Sequence, residues 1–195
     1  WDAARQMWPA FAKAAGMATD SVTWVNIKPN AKIAALKSDS IAVTTSFYNI
    51  HFVFQKIFGD DMGFVAGKDL GVNPYGNSVI ANGKYLKENP GVVKNFVKVT
   101  QKAYAACAKN ADPCITALMD ANSGLKRGSS MANWALGKEL MDADSSRNGA
   151  IGYFDPARME ADYKLIEAYF KLKTPFDIKK TYRNDFLDMS VKFGG

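Results

Sequence analysis

Asp69-Leu-Gly-Val-Asn-Pro-Tyr-Gly-Asn-Ser78 runs into Val79-Ile80-Ala81 and then toward Asn89-Pro90, and its reading decides the fold. A polar, glycine-punctuated stretch closes one kind of organisation and an extended apolar one opens another. The segment therefore reads as a crossing between two halves of the chain. Tyr75 stands at its centre between Asn73 and Asn77. An aromatic ring flanked by amides suits a small flat or polar molecule. The plainer alternative is a turn, since Asn-Pro-Tyr-Gly has turn chemistry throughout.

Upstream of the crossing, helix and strand patterns alternate. Asp2 to Ala15 reads as a helix with Met7 and Phe11 on one face and Gly16 at its end, although Pro9 inside it predicts a kink or a restart. Val22–Asn26, Ile41–Thr45 and Met62–Ala66 read as strands. Pro29 and Asn30 open a short helix carrying Ile33 and Leu36. Ser46 is placed to cap another, with Phe47, Ile50, Phe54 and Ile57 along it. The alternation predicts an α/β unit with a parallel sheet.

Downstream, the pattern is helical. Pro90 sits at a first-turn position, and a long helix extends to about Ala108 with Val93, Phe96, Val97 and Tyr104 in its stripe. Asp112-Pro113 starts the next helix, a third carries Trp134 and Leu140, and Asp155-Pro156 starts a fourth. The only extended piece is Ser78 to Asn82, so these helices lack a sheet to cover them. That imbalance carries the expectation that part of the protein precedes this chain.

Composition narrows the function classes. The chain has 195 residues, 48% hydrophobic content and a net charge of +6. The charge favours anionic ligands or surfaces, but no block of five like charges occurs and no nucleic-acid motif is present. No apolar run approaches the roughly 18 residues of a membrane span. Cys107 and Cys114 flank Asn110-Ala-Asp-Pro113, a helix stop followed by a helix start, so a local disulfide of an oxidising compartment is one reading and two separate buried thiols the other. His51 is the one histidine, which argues against zinc and leaves no triad partner set. P-loop and dinucleotide fingerprints are missing. These features together favour a binder without metal or cofactor over an enzyme.

The order of these pieces carries a resemblance. Lys32-Ile-Ala-Ala-Leu36, Phe47-Tyr48-Asn49, Asp69-x-Gly-Val-x-Pro-Tyr75, Val79-Ile-Ala-Asn82 and Lys87-Glu-Asn-Pro-x-Val-Val-Lys-x-Phe96 resemble the C-terminal part of solute-binding proteins of ABC importers, of the nitrate/sulfonate/taurine and thiamine-pyrimidine-precursor type. The resemblance implies a type II periplasmic-binding-protein-like fold: two α/β lobes, crossing strands and a ligand cleft. Residues 1–74 would form lobe two, 75–84 the hinge crossing, and 85–195 the helical C-terminal part of lobe one. It implies ligand contacts from Asp2, Asn30, Ser46, Tyr48, Asn49, Asn73, Tyr75 and Asn77. Phe47 reads as core. The implied setting is the periplasm or a cell-surface lipoprotein, with a membrane permease as partner and a monomer when complete. The alternative is an enzyme of pyrimidine-precursor metabolism on the same fold, for which His51 and Asp69 are the candidate groups. The cysteine-rich motif of the fungal pyrimidine-synthesis relatives is lacking, which speaks against that branch.

Overall fold

The first helix, α1 (Ala3–Ala14), runs through Pro9 without a break. A proline there removes one ladder hydrogen bond at a cost of roughly 3 kcal/mol. Burial offsets it: Met7, Ala10 and Ala12 are 7%, 4% and 0% exposed. The structure, a computed structural model, describes residues 3–170 and 172–195. The chain divides into two compact units. One comprises the residues up to Pro74 together with Asp162–Pro175, the other Tyr75–Ala161 with Phe176–Gly195. Residues 162–175 thus pack with the first unit, where the sequence grouped them with the C-terminal helices.

In the first unit, α1 is followed by α2 (Lys32–Lys37) and α3 (His51–Phe58), each entered through a 3₁₀ turn, Pro29–Ala31 and Tyr48–Ile50. Its core joins Met7, Ala10 and Val72 to Phe11, Leu165, Tyr169 and Phe170. Gly67 is required at its place: a Cβ there would lie 2.8 Å from the Val72 carbonyl oxygen and 2.9 Å from the Phe11 ring. Gly71, at φ 73°, ends the 3₁₀ turn Gly67–Leu70 in the left-handed region.

The expected parallel sheet is not formed; among the described residues no segment pairs in a ladder. Extended dihedrals make a strand only when a neighbour sits about 4.8 Å away to take its hydrogen bonds. Here side chains tie the extended segments to helices instead. Trp24 meets Trp8 edge-on at 6.1 Å, with the Arg5 guanidinium 5.7 Å from the Trp24 ring. Trp8 Nε1 donates to the Thr19 carbonyl at 2.7 Å. Apolar residues meant for a sheet face are consequently exposed: Val25 by 55%, Val43 by 82% and Val65 by 71%.

The second unit is built on α4 (Gly83–Glu88), α5 (Pro90–Lys109), α6 (Ala111–Ala121), α7 (Arg127–Met141) and the first part of α8 (Pro156–Tyr169). Asn82 caps α4, its Oδ1 accepting from the Lys84 and Tyr85 N–H groups at 3.0 and 3.1 Å. The cap of α6 is Asn110, two residues before the expected Asp112, with the Asp112 N–H donating to its Oδ1 at 3.2 Å. Asp112 itself pairs with Arg127. Its position on the first turn of α6 leaves the carboxylate free to reach across to α7. Cys107 and Cys114 are joined by a disulfide, with Cα atoms 5.8 Å apart. Tyr104 stacks on Trp134 at 5.9 Å, tying α5 to α7.

The C-terminal segment completes this unit. Ala108, Ile151 and Phe193 form its buried centre, with Ala105, Met141 and Val191 against them. Gln101, 3% exposed, spans the gap: Nε2 donates to the Ile151 carbonyl at 2.8 Å and to the Asp188 carbonyl at 3.3 Å, while Oε1 accepts the Asp188 N–H at 2.8 Å. A buried amide is affordable only when both of its ends are satisfied in this way.

Candidate ligand-binding site

Thr45 to His51 forms the most structured concentration of aromatic and amide side chains among the predicted contacts. Lys32 fixes its entry: Nζ donates to the Thr45 carbonyl at 2.8 Å and to Thr45 Oγ1 at 3.1 Å. The chain then turns as a 3₁₀ helix, in which residues three apart eclipse one another. Tyr48 and His51 are so spaced, and their rings stack at 5.8 Å with planes 18° apart. Phe64 closes on both, 4.3 Å from His51 and 6.0 Å from Tyr48. The result is a three-ring cluster with Tyr48 and Asn49 half-buried beside it.

Several expectations change here. Ser46 does not cap the helix; its Oγ donates to the Phe47 carbonyl at 3.4 Å, because Phe47 takes the N-cap place one residue later. Phe47, expected in the core, is 74% exposed, since the missing sheet removes the surface it would cover. Asn30 lies within the 3₁₀ turn Pro29–Ala31 and makes no cap bond to α2. Asp2 lies outside the described residues. Asn73 is an exposed residue of the first unit.

Tyr75 belongs to the second unit and is held as a structural pin. Its hydroxyl accepts the Asp155 N–H at 2.9 Å and donates to the Tyr153 carbonyl at 3.4 Å. Phe154 meets the ring edge-on at 5.3 Å, and the Arg158 guanidinium sits 4.1 Å from its centroid. Asp155 caps α8, its Oδ1 accepting the Arg158 N–H at 2.9 Å. Asn184 pairs with the Phe154 backbone through both amide ends, at 3.0 and 2.8 Å. Asn77, two residues on, is exposed. Ser46, Tyr48 and Asn49 thus share one loop, while Tyr75 is engaged in a packing network of its own.

Sequence reasoning passed over Lys32, Phe64 and Arg158. Phe64 had a usable signal: a 3₁₀ turn aligns Tyr48 with His51, so a third ring close in sequence could complete the stack. Arg158 had none, because its ring partner is 83 positions away in sequence.

Among the described residues, no group of three or more His, Cys, Asp and Glu side chains is placed to hold a metal ion. Nor is any helix long and apolar enough to cross a membrane. The arrangement around Tyr48 can do two things chemically. Its rings offer a flat apolar face, and the Asn49 amide offers a donor and an acceptor beside it. A family model described as NMT1/THI5 like matches residues 2–113, more than half of the chain. No curated protein matches it.

Proposed function

Because the chain belongs to the NMT1/THI5-like family, we propose that it is the solute-binding component of an ABC importer, capturing a small polar, anionic or aromatic molecule for a membrane permease. The family has a periplasmic-binding-protein-like fold and includes ABC solute-binding proteins and THI5 members of thiamine-pyrimidine synthesis. The carrying observation is the family match over residues 2–113, which takes in the loop from Ser46 to His51. The site residues proposed in the first unit are Tyr48 and Asn49, with Ser46, Asn30 and Asn73 as secondary contacts. Tyr48 supplies a stacking face worth about 0.5–1.5 kcal/mol beyond area burial. Asn49 supplies directional hydrogen bonds, each worth about 0.5–1.5 kcal/mol.

The proposed setting is the periplasm or the outer face of a membrane, where the Cys107–Cys114 disulfide persists. The permease recognises the ligand-closed state. Thermal-shift screening of small sulfonates, carboxylates and pyrimidines tests the reading: one class raises the melting temperature in wild type and does so at least tenfold less potently in Tyr48→Ala. A shift that Tyr48→Ala leaves unchanged removes the loop from the site. The position of His51 against Tyr48 favours a second reading, an enzyme of pyrimidine-precursor metabolism. Turnover of the bound compound, abolished in His51→Gln, would select it.

A further inference from the structure

A second binding site, unrelated to the loop around Tyr48, lies in the other unit. A cavity of about 300 Å³ opens between α5 and the C-terminal segment, lined by Lys94, Lys98, Phe186, Leu187, Asp188 and Met189. Its wall is preformed. Gln101 holds Asp188 at both its N–H and its carbonyl, and the Leu187 N–H donates to the Asn184 carbonyl at 3.1 Å. The space is a half-open groove, with a volume at the lower end of small-molecule sites, roughly 300–1,000 Å³.

The charges in and around this cavity do not cancel. Asp188 accepts from the Ser190 N–H at 3.1 Å and from Ser190 Oγ at 2.6 Å, and its other oxygen lies 3.2 Å from Lys98 Nζ. Those hydrogen bonds, the Ser190 hydroxyl first, draw its pKa down to about 2, so it remains an anion and neutralises Lys98. Asp185, which also feels the charge of Lys94, is held by Arg183, whose Nε donates to it at 2.8 Å and whose Nη2 completes a fork. Lys94, Lys98 and Arg183 thus stand against two carboxylates, Asp185 and Asp188, and Lys94 is the cation of the three without a direct ion pair to either. It also heads a row: Lys94, Lys98, Lys102 and Lys109 share one side of α5 by their spacing, and between Gly83 and Lys109 six lysines stand against one glutamate. Three of the six lining residues are apolar.

We propose that this cavity binds a small organic monoanion, a carboxylate or sulfonate with an apolar body, its charge on Lys94 and its body on Phe186, Leu187 and Met189. A dianion would add a charge that the neutralised Lys98–Asp188 pair does not meet. A cation of the same shape would meet the net positive charge of this cluster.

The test uses the whole chain, isotope-labelled, titrated with sodium benzoate and followed by amide chemical shifts. Saturable shifts at Lys94, Lys98 and residues 187–189 are expected in the millimolar range, weakened at least fivefold in both Lys94→Ala and Lys94→Gln, with benzylammonium chloride producing none. Lys94 is exposed, so neither variant should disturb folding. Equal shifts from sodium chloride at matched ionic strength would reduce the site to counterion attraction and overturn the proposal. Equal binding of benzylammonium, or unaltered affinity in the Lys94 variants, would do the same. Shifts confined to residues 46–51 would sink this proposal while leaving the solute-binding reading intact.

Discussion

Replacing Tyr75 separates a structural pin from a ligand contact. In Tyr75→Phe the ring stays and the hydroxyl goes. The Asp155 N–H, held at 2.9 Å, then loses its acceptor at the start of α8. A half-buried donor left alone costs about 1 kcal/mol. Tyr75→Ala loses more. The edge-on contact with Phe154 at 5.3 Å is worth about 1 kcal/mol. The Arg158 guanidinium at 4.1 Å from the ring contributes about 0.5–1 kcal/mol in partial contact with solvent. Half-burial of the ring adds about 1 kcal/mol. Together with the hydrogen bond the loss comes to roughly 3–4 kcal/mol, or about 12–16 °C in melting temperature for a unit of this size. The assay is thermal and urea unfolding of wild type and both variants without ligand. Graded loss, near 1 kcal/mol for Phe and 3–4 kcal/mol for Ala, is expected. A Tyr75→Ala protein that melts like wild type would refute the pin and return Tyr75 to the ligand-facing role first read from the sequence.

Three further outcomes follow from the geometry. Gln101→Leu removes one buried and two part-buried hydrogen bonds and strands the Asp188 N–H and the Ile151 carbonyl; urea unfolding should record a loss of about 2–4 kcal/mol. Reducing Cys107–Cys114 opens a loop with a sequence separation of 7, for which the chain-entropy relation gives about 2–3 kcal/mol; thiol titration of the denatured, unreduced protein should find no free thiol. Asp188 has a depressed folded-state pKa, so its contribution to stability is present above the unfolded carboxylate range, near 4, and is lost as pH falls through about 2. Carboxyl NMR titration should place its midpoint there, and Ser190→Ala should move it upward.

How much of this is legible in the sequence depends on the range of the forces involved. Local signals were read well: Pro90 opens α5, Gly16 follows α1 in the left-handed region, and Cys107 and Cys114 flank a helix boundary. Cap identity was off by two residues at α6, because Asn110 and Asp112 are equally good cap chemistry and only backbone geometry chooses between them. Strand reading failed for a different reason. Val22–Asn26 and Ile41–Thr45 have strand composition, but a strand is a relation between two segments, and composition describes only one. The same limit applied to the sites. Tyr48 with His51 is a three-residue relation that the sequence displays; Tyr75 with Arg158 is set by tertiary packing, which the sequence does not display. The cavity at Lys94 and Asp188 joins elements some ninety residues apart, and Gln101, which fixes its wall, carries no signature in sequence.

Mass spectrometry of small molecules released on denaturing the purified native protein tests the central claim most directly. One compound is expected at near-stoichiometric amount, rebinding to wild type and at least tenfold more weakly to Tyr48→Ala, a loss of about 1.4 kcal/mol. Chemical conversion of that compound by the protein, or rebinding that Tyr48→Ala leaves intact, would contradict it.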